Sequence, residues 1–152
     1  TYKGFCDGVL PDLTNAVKYA VQKNVTVVVA AGNSGNSGVS IPGCISYSTA
    51  VGAVNSSDKI ASFSGRGSAL DITAPGVSIY SSVLGSLYAS WSGTSMATPM
   101  ISGVVALVKN AHPAYTHSQI ENKLFSTAKD LGRAGKDKDY GWGRVRADQA
   151  VQ

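Results

Sequence analysis

Apolar residues first recur with helical spacing at Ala16, Val17, Tyr19, Ala20 and Val21, while Lys18, Gln22 and Lys23 fall on the opposite side. The spacing predicts an amphipathic helix capped by Asp12 or Thr14 and closed by Asn24. Val25 to Ala31 then runs apolar and β-branched with hardly a break. That is the pattern of a strand covered on both faces, as in a parallel sheet. A helix leading directly into such a strand predicts an α/β fold. Thr49 to Val54 reads as the next strand, and Ser78 to Val83 with Leu87 to Trp91, parted by Gly85, read as an antiparallel hairpin. Met100 to Val108 is apolar on nearly every side, which predicts a buried helix rather than a surface one. Proline is best tolerated in a first helical turn, so Pro99 sets the start of this helix close to Ser95. Pro113 marks its stop, and Thr116 begins another helix through Ile120, Leu124 and Phe125, with Gln119 placed for a capping box. Arg133 to Tyr140 is polar and expected to be exposed.

The 152 residues suit one domain with a sizeable core, and no repeat, low-complexity tract or linker divides them. The net charge of +4 is mild and its lysines and arginines are scattered, which argues against a nucleic-acid surface. No stretch is apolar for the length of a membrane span. Cys6 and Cys44 have neither zinc spacing nor a C-x-x-C arrangement, leaving a disulfide or two buried thiols.

Chemistry concentrates in Gly93-Thr94-Ser95-Met96-Ala97-Thr98-Pro99. Ser95 falls at a helix N-terminus, where free N–H groups and the positive end of the macrodipole favour negative charge. A hydroxyl there either caps the helix or attacks a carbonyl. The loop Gly32 to Gly38 lies at the C-terminal end of a predicted strand, where ligands bind in open α/β sheets. Its Asn33 is either a turn residue or a hydrogen-bond donor aimed at a ligand. Asp71 reads as a turn acid.

The heptad around Ser95 resembles the nucleophile motif of the subtilisin-like serine proteases, the subtilases. Val27 to Gly35 resembles the family's strand ending in the oxyanion-hole Asn. The likeness continues through Val51 to Val54, Ala61 to Ser64, Leu70 to Gly76 and Tyr140 to Gly143, and it covers most of the chain. It implies an α/β fold forming the C-terminal part of a subtilisin-like parallel-sheet sandwich, with Ser95 as nucleophile and Asn33 as oxyanion donor. Ala30, Ala31, Gly32, Ser34 and Ser40 would line the pocket for the residue preceding the scissile bond. Met96 would pack beside the nucleophile. Both cysteines would lie near the walls of the substrate cleft. A structural calcium or monovalent cation is implied at Asp71 with the carbonyls of Gly43, Ile45 and Ser48, and no cofactor is implied for catalysis.

The family's Asp-[Ser/Thr]-Gly and His-Gly-Thr segments occur nowhere in this sequence. His112 and His117 match surface-type positions, and Asp7 matches the edge of the specificity cleft. The likeness therefore implies that residues 1–152 are the C-terminal portion of a secreted peptidase domain acting on proteins or peptides. The acid and base would be carried by an N-terminal partner fragment. Two other classes compete: a non-catalytic remnant acting as an interaction or inhibitory module, and an unrelated α/β protein holding an anion at the Ser95 helix. No Gly-x-x-x-x-Gly-Lys-[Ser/Thr] loop supports a nucleotide version of the latter.

Overall fold

The computed structural model describes residues 1–152. Its first helix, α1, spans Pro11–Gln22. Neither expected cap residue starts it. Leu10 stands at the N-cap, Pro11 opens the first turn, and the Thr14 hydroxyl donates to the Asp7 carbonyl instead. Asn24 ends the turn after α1 at φ +62°, a left-handed conformation that asparagine tolerates better than most residues.

Three parallel strands follow, β1 (Val28–Ala30), β2 (Thr49–Val54) and β3 (Ile72–Pro75), side by side in chain order. Central β2 is buried at all six positions, Thr49 included, because it has a strand on either side. Val51 and Ala53 face one core and Ala50 the other. β1 is shorter than the apolar run Val25 to Ala31 and is only half-buried, with Val25 50% exposed. Val28 packs against one core and Val27 against the other, so both faces meet neighbours, and burial stays partial because the outer edge of β1 carries no strand. β3 had no separate strand signal, since four residues are too few to display a period.

β4 (Ile79–Val83) and β5 (Leu87–Trp91) form the expected antiparallel hairpin. The next helix, α2 (Thr94–Ala111), packs across all three parallel strands. Only one side of it is buried, through Ala97, Ile101, Val104 and Val108, while Leu107 is 53% exposed. The expectation of burial all round is thus corrected, since this chain supplies no layer on the far side of α2. Pro99 is the sixth residue of α2 and not part of its first turn. The helix nonetheless starts beside Ser95 as expected, at Thr94, whose N–H is satisfied from outside by the Asn33 side chain.

α3 (His117–Thr127) carries the predicted capping box. Gln119 N–H donates to the Thr116 hydroxyl, and the Thr116 N–H donates to Gln119 Oε1. A short α4 (Ala147–Ala150) closes the core around Ile120 and Leu124. On the other face of the sheet, Cys6 and Cys44 form a disulfide with Cα atoms 5.4 Å apart.

Candidate active site

Parallel strands place their loops at one end of a sheet. β1 ends in the loop holding Asn33, and α2 starts beside it. Asn33 Oδ1 accepts from the Thr94 N–H and from the Thr94 hydroxyl, both at 3.0 Å. A backbone N–H only donates, so the atom facing it is the amide oxygen, and this fixes which way round the Asn33 amide lies. Its Nδ2 is turned the other way and has no partner within the chain. A Cβ placed on Gly93 would stand 3.5 Å from Asn33 Nδ2, 3.6 Å from Met96 Sδ and 3.8 Å from the Ser95 nitrogen. Two N–H donors and the Met96 sulfur therefore surround one small volume, left open because residue 93 has no side chain.

Ser95 itself is exposed, and its hydroxyl makes no hydrogen bond within the chain. It borders a cavity of about 170 Å³ between α2 and the hairpin, walled by Ile79, Val83, Ala89, Trp91, Met96 and Pro99. A proton acceptor is missing from this neighbourhood. His112 lies at the far end of α2, about 25 Å from Ser95 at 1.5 Å per residue, and stacks on Tyr115 with ring centroids 4.4 Å apart. His117 contacts Thr26 at the opposite end of β1 from Asn33, with Nδ1 3.3 Å from the threonine hydroxyl.

The residues expected to line a substrate pocket form one wall. The Ser40 N–H donates to the Ala31 carbonyl at 2.8 Å, and any side chain on Gly32 would collide with Ser40. Gly32, at φ +90°, is suited to that close approach. Ala31 is fully buried, Ala30 is half-buried, and Ser34 is exposed. Asp7 is used structurally, its carboxylate accepting from the N–H and hydroxyl of Ser46.

Of the expected cation ligands, Asp71 and the Ile45 carbonyl already accept from protein donors. Asp71 Oδ1 pairs with Lys136 Nζ at 2.8 Å, and Oδ2 accepts from the Ala50 N–H at 2.8 Å. The Ser48 hydroxyl lies 2.9 Å from the Ile45 carbonyl, 3.2 Å from that of Pro42 and 3.4 Å from that of Gly43. No cluster of three or more His, Cys, Asp or Glu is present. In this arrangement the Lys136 ammonium stands at the one carboxylate of the expected set. Burial raises the Asp71 pKa, and Lys136 pulls it partly back down. Glu121 is also raised, by burial above all, with the Thr49 hydroxyl and His117 opposing.

Three participants lacked a sequence signal of their own. Thr94 orients Asn33 from 61 residues away, Trp91 walls the cavity at Ser95, and Lys136 reaches Asp71 from a loop that reads only as polar.

Comparison with known proteins gives the architecture a family. A model described as the Subtilase family matches residues 3–143. The chain belongs to the subtilase family. Subtilisin BL of Lederbergia lenta is 46% identical over 140 residues, an alignment covering 92% of this chain and 51% of that protein. Subtilisin E of Bacillus subtilis (strain 168) is 44% identical over 144 residues, covering 92% of this chain and 37% of its own length. The M-protease of Shouchella clausii (strain KSM-K16) is 46% identical over 140 residues, with 36% of its length covered. This subtilase chain thus spans about half the length of the curated relatives it matches, or less.

Proposed function

We propose that this chain is the C-terminal portion of a secreted serine endopeptidase domain, supplying the nucleophile Ser95 and the oxyanion donors. The catalytic Asp and His belong to an N-terminal fragment. The observation that carries the reading is the convergence of Asn33 Nδ2 and the Ser95 N–H on one open volume beside an unengaged hydroxyl. In such a site the base takes the Ser95 proton as Oγ attacks a peptide carbonyl. The resulting oxyanion is stabilised by the two N–H groups more than the ground-state carbonyl is, which lowers the barrier. The base then passes the proton to the leaving amine, and water hydrolyses the acyl-enzyme. Protein or peptide substrates would lie along the wall formed by Ala30, Ala31, Gly32, Ser34 and Ser40.

Dependence on a partner is supported by the surfaces the chain leaves bare. The outer edge of β1 has unpaired backbone groups, Val25 is half exposed, and so is Leu107 on the free side of α2. No helix is long and apolar enough to cross a membrane. A fluorophosphonate probe tests the proposal. Labelling of Ser95, lost in Ser95→Ala, is expected only when the Asp- and His-bearing fragment is present. Absence of labelling in the assembled protein would instead indicate a non-catalytic remnant.

A further inference from the structure

We propose that Lys136 is a built-in cation standing where the family likeness implies a metal ion, so that this region is held by an internal ion cluster instead of calcium or sodium. The inference concerns stability and does not depend on which residues do chemistry.

The starting point is an acidic position that needs a positive partner. Asp71 immediately precedes β3, and its side chain is 14% exposed. Its Oδ2 extends the β2–β3 ladder by accepting from the Ala50 N–H, while the Asp71 N–H donates to the Ala50 carbonyl. A second carboxylate, Glu121 of α3, is anchored at Thr49, the residue next to Ala50 on β2. Glu121 accepts from the buried Thr49 hydroxyl at 2.6 Å and pairs with His117 Nε2 at 3.1 Å. Two partly desolvated carboxylates anchored to adjacent residues of one strand call for compensating positive charge. A hard cation bound to oxygens at about 2.3–2.6 Å would provide it. So does an ammonium group 2.8 Å from Asp71 Oδ1.

Surface ion pairs usually stabilise little, because a flexible lysine loses rotamer entropy and salt screens the charge. The loop bearing Lys136 reduces that cost by being ordered in advance. Asp137 accepts from the N–H groups of Arg133, Asp139 and Tyr140 at 2.7–2.8 Å, and Asp130 accepts from that of Gly135 at 2.9 Å. The loop is also tied to Asp71 itself. The Trp142 N–H donates to the Asp71 carbonyl at 2.8 Å, and Gly141, at φ +60°, passes so close that a Cβ would collide with the Asp71 backbone. Of the carbonyls that would complete a metal shell, that of Ile45 already accepts from the Ser48 N–H at 3.0 Å and lies 2.9 Å from the Ser48 hydroxyl. Asp71 and one of the expected carbonyls thus have protein donors already.

The test is thermal unfolding of the assembled protein, with wild type, Lys136→Met and Lys136→Arg each melted in chelator and across calcium and sodium series. Comparing variants cancels any metal bound elsewhere. Lys136→Met is expected to melt roughly 2–6 °C lower in chelator, the shift that loss of a partly buried pair produces in a chain of this size. Millimolar calcium or high sodium should then restore an increment that wild type does not show. Lys136→Arg should behave like wild type. Should Lys136→Met fail to assemble, the double substitution Asp71→Asn/Lys136→Met removes both charges and is expected to respond to ions as wild type does. The proposal is overturned if wild type and Lys136→Met respond identically to calcium and sodium, if Lys136→Met melts at the wild-type temperature, or if the double variant gains a metal response.

Discussion

At the scale of single residues, the decisive contact is Thr94 holding Asn33 by its oxygen. The amide is then committed: Oδ1 faces two donors, and only Nδ2 is left for a substrate oxygen. Replacing Asn33 by Ala should lower kcat of the assembled protein by about 10²–10³-fold with little change in KM, a magnitude taken over from subtilisin itself. A comparable loss in KM, with kcat retained, would assign Asn33 to ground-state binding instead. Thr94→Val tests the same arrangement one step removed, since it deletes the hydroxyl donor but keeps the N–H. Met96 offers a second check. Its sulfur lies 3.6 Å from the point above Gly93, so oxidation to the sulfoxide would put a polar oxygen beside the proposed oxyanion position. Peroxide should reduce activity in step with Met96 oxidation followed by mass spectrometry, and full activity after complete oxidation would refute this.

Among the elements, the disulfide and the central strand carry most of the order. Cys6 and Cys44 are 38 residues apart, and both are buried in the core beneath α1. A loop of that length predicts a stabilisation of about 2–4 kcal/mol from restriction of the unfolded chain. Cys6→Ser/Cys44→Ser should therefore unfold at lower denaturant with the N-terminal segment and α1 released first, which hydrogen exchange would resolve. The pairing was open in the sequence because spacing does not report Cα separation. Other elements were legible for identifiable reasons. β2 shows itself as the short run Thr49 to Val54, rich in small and β-branched residues, and α3 by a capping box that is wholly local. β1 and α2 are less buried than their composition implies. Their composition reports how apolar a face is, but the neighbour needed to cover that face is not among these residues.

For the whole molecule, charge sets how stability changes with pH. The Lys129 ammonium, hydrogen-bonded to Asp58 at 2.8 Å, holds that carboxyl below its ordinary range, aided by Arg144. A carboxyl with a lowered native pKa stabilises the fold above its unfolded value, and this contribution is lost as pH falls through the native value. Asp58→Asn should therefore destabilise the protein at neutral pH, by under about 1 kcal/mol for a partly exposed pair, and flatten the acid limb of a melting-temperature profile. Asp71 and Glu121 act with the opposite sign. Their raised native values mean that the folded chain keeps protons the unfolded chain has released, so stability falls as pH rises from the ordinary carboxylate range through those values. A profile in which Asp58→Asn leaves the acid limb unchanged would refute the assignment.

Local sequence was sufficient to determine the α/β class, the positions of β2, the hairpin and α3, and the motif that puts a serine at the start of a long helix. Each of these depends on residues a few positions apart, whose periodicity and capping chemistry act within one turn or one strand. Only the tertiary structure decided which atom of Asn33 faces the open volume, that the cysteines pair, and that a lysine from a polar loop meets Asp71. Those outcomes join residues 38, 61 and 65 positions apart, and contacts at such range are set by how strands stack and where loops are tethered, not by any local pattern.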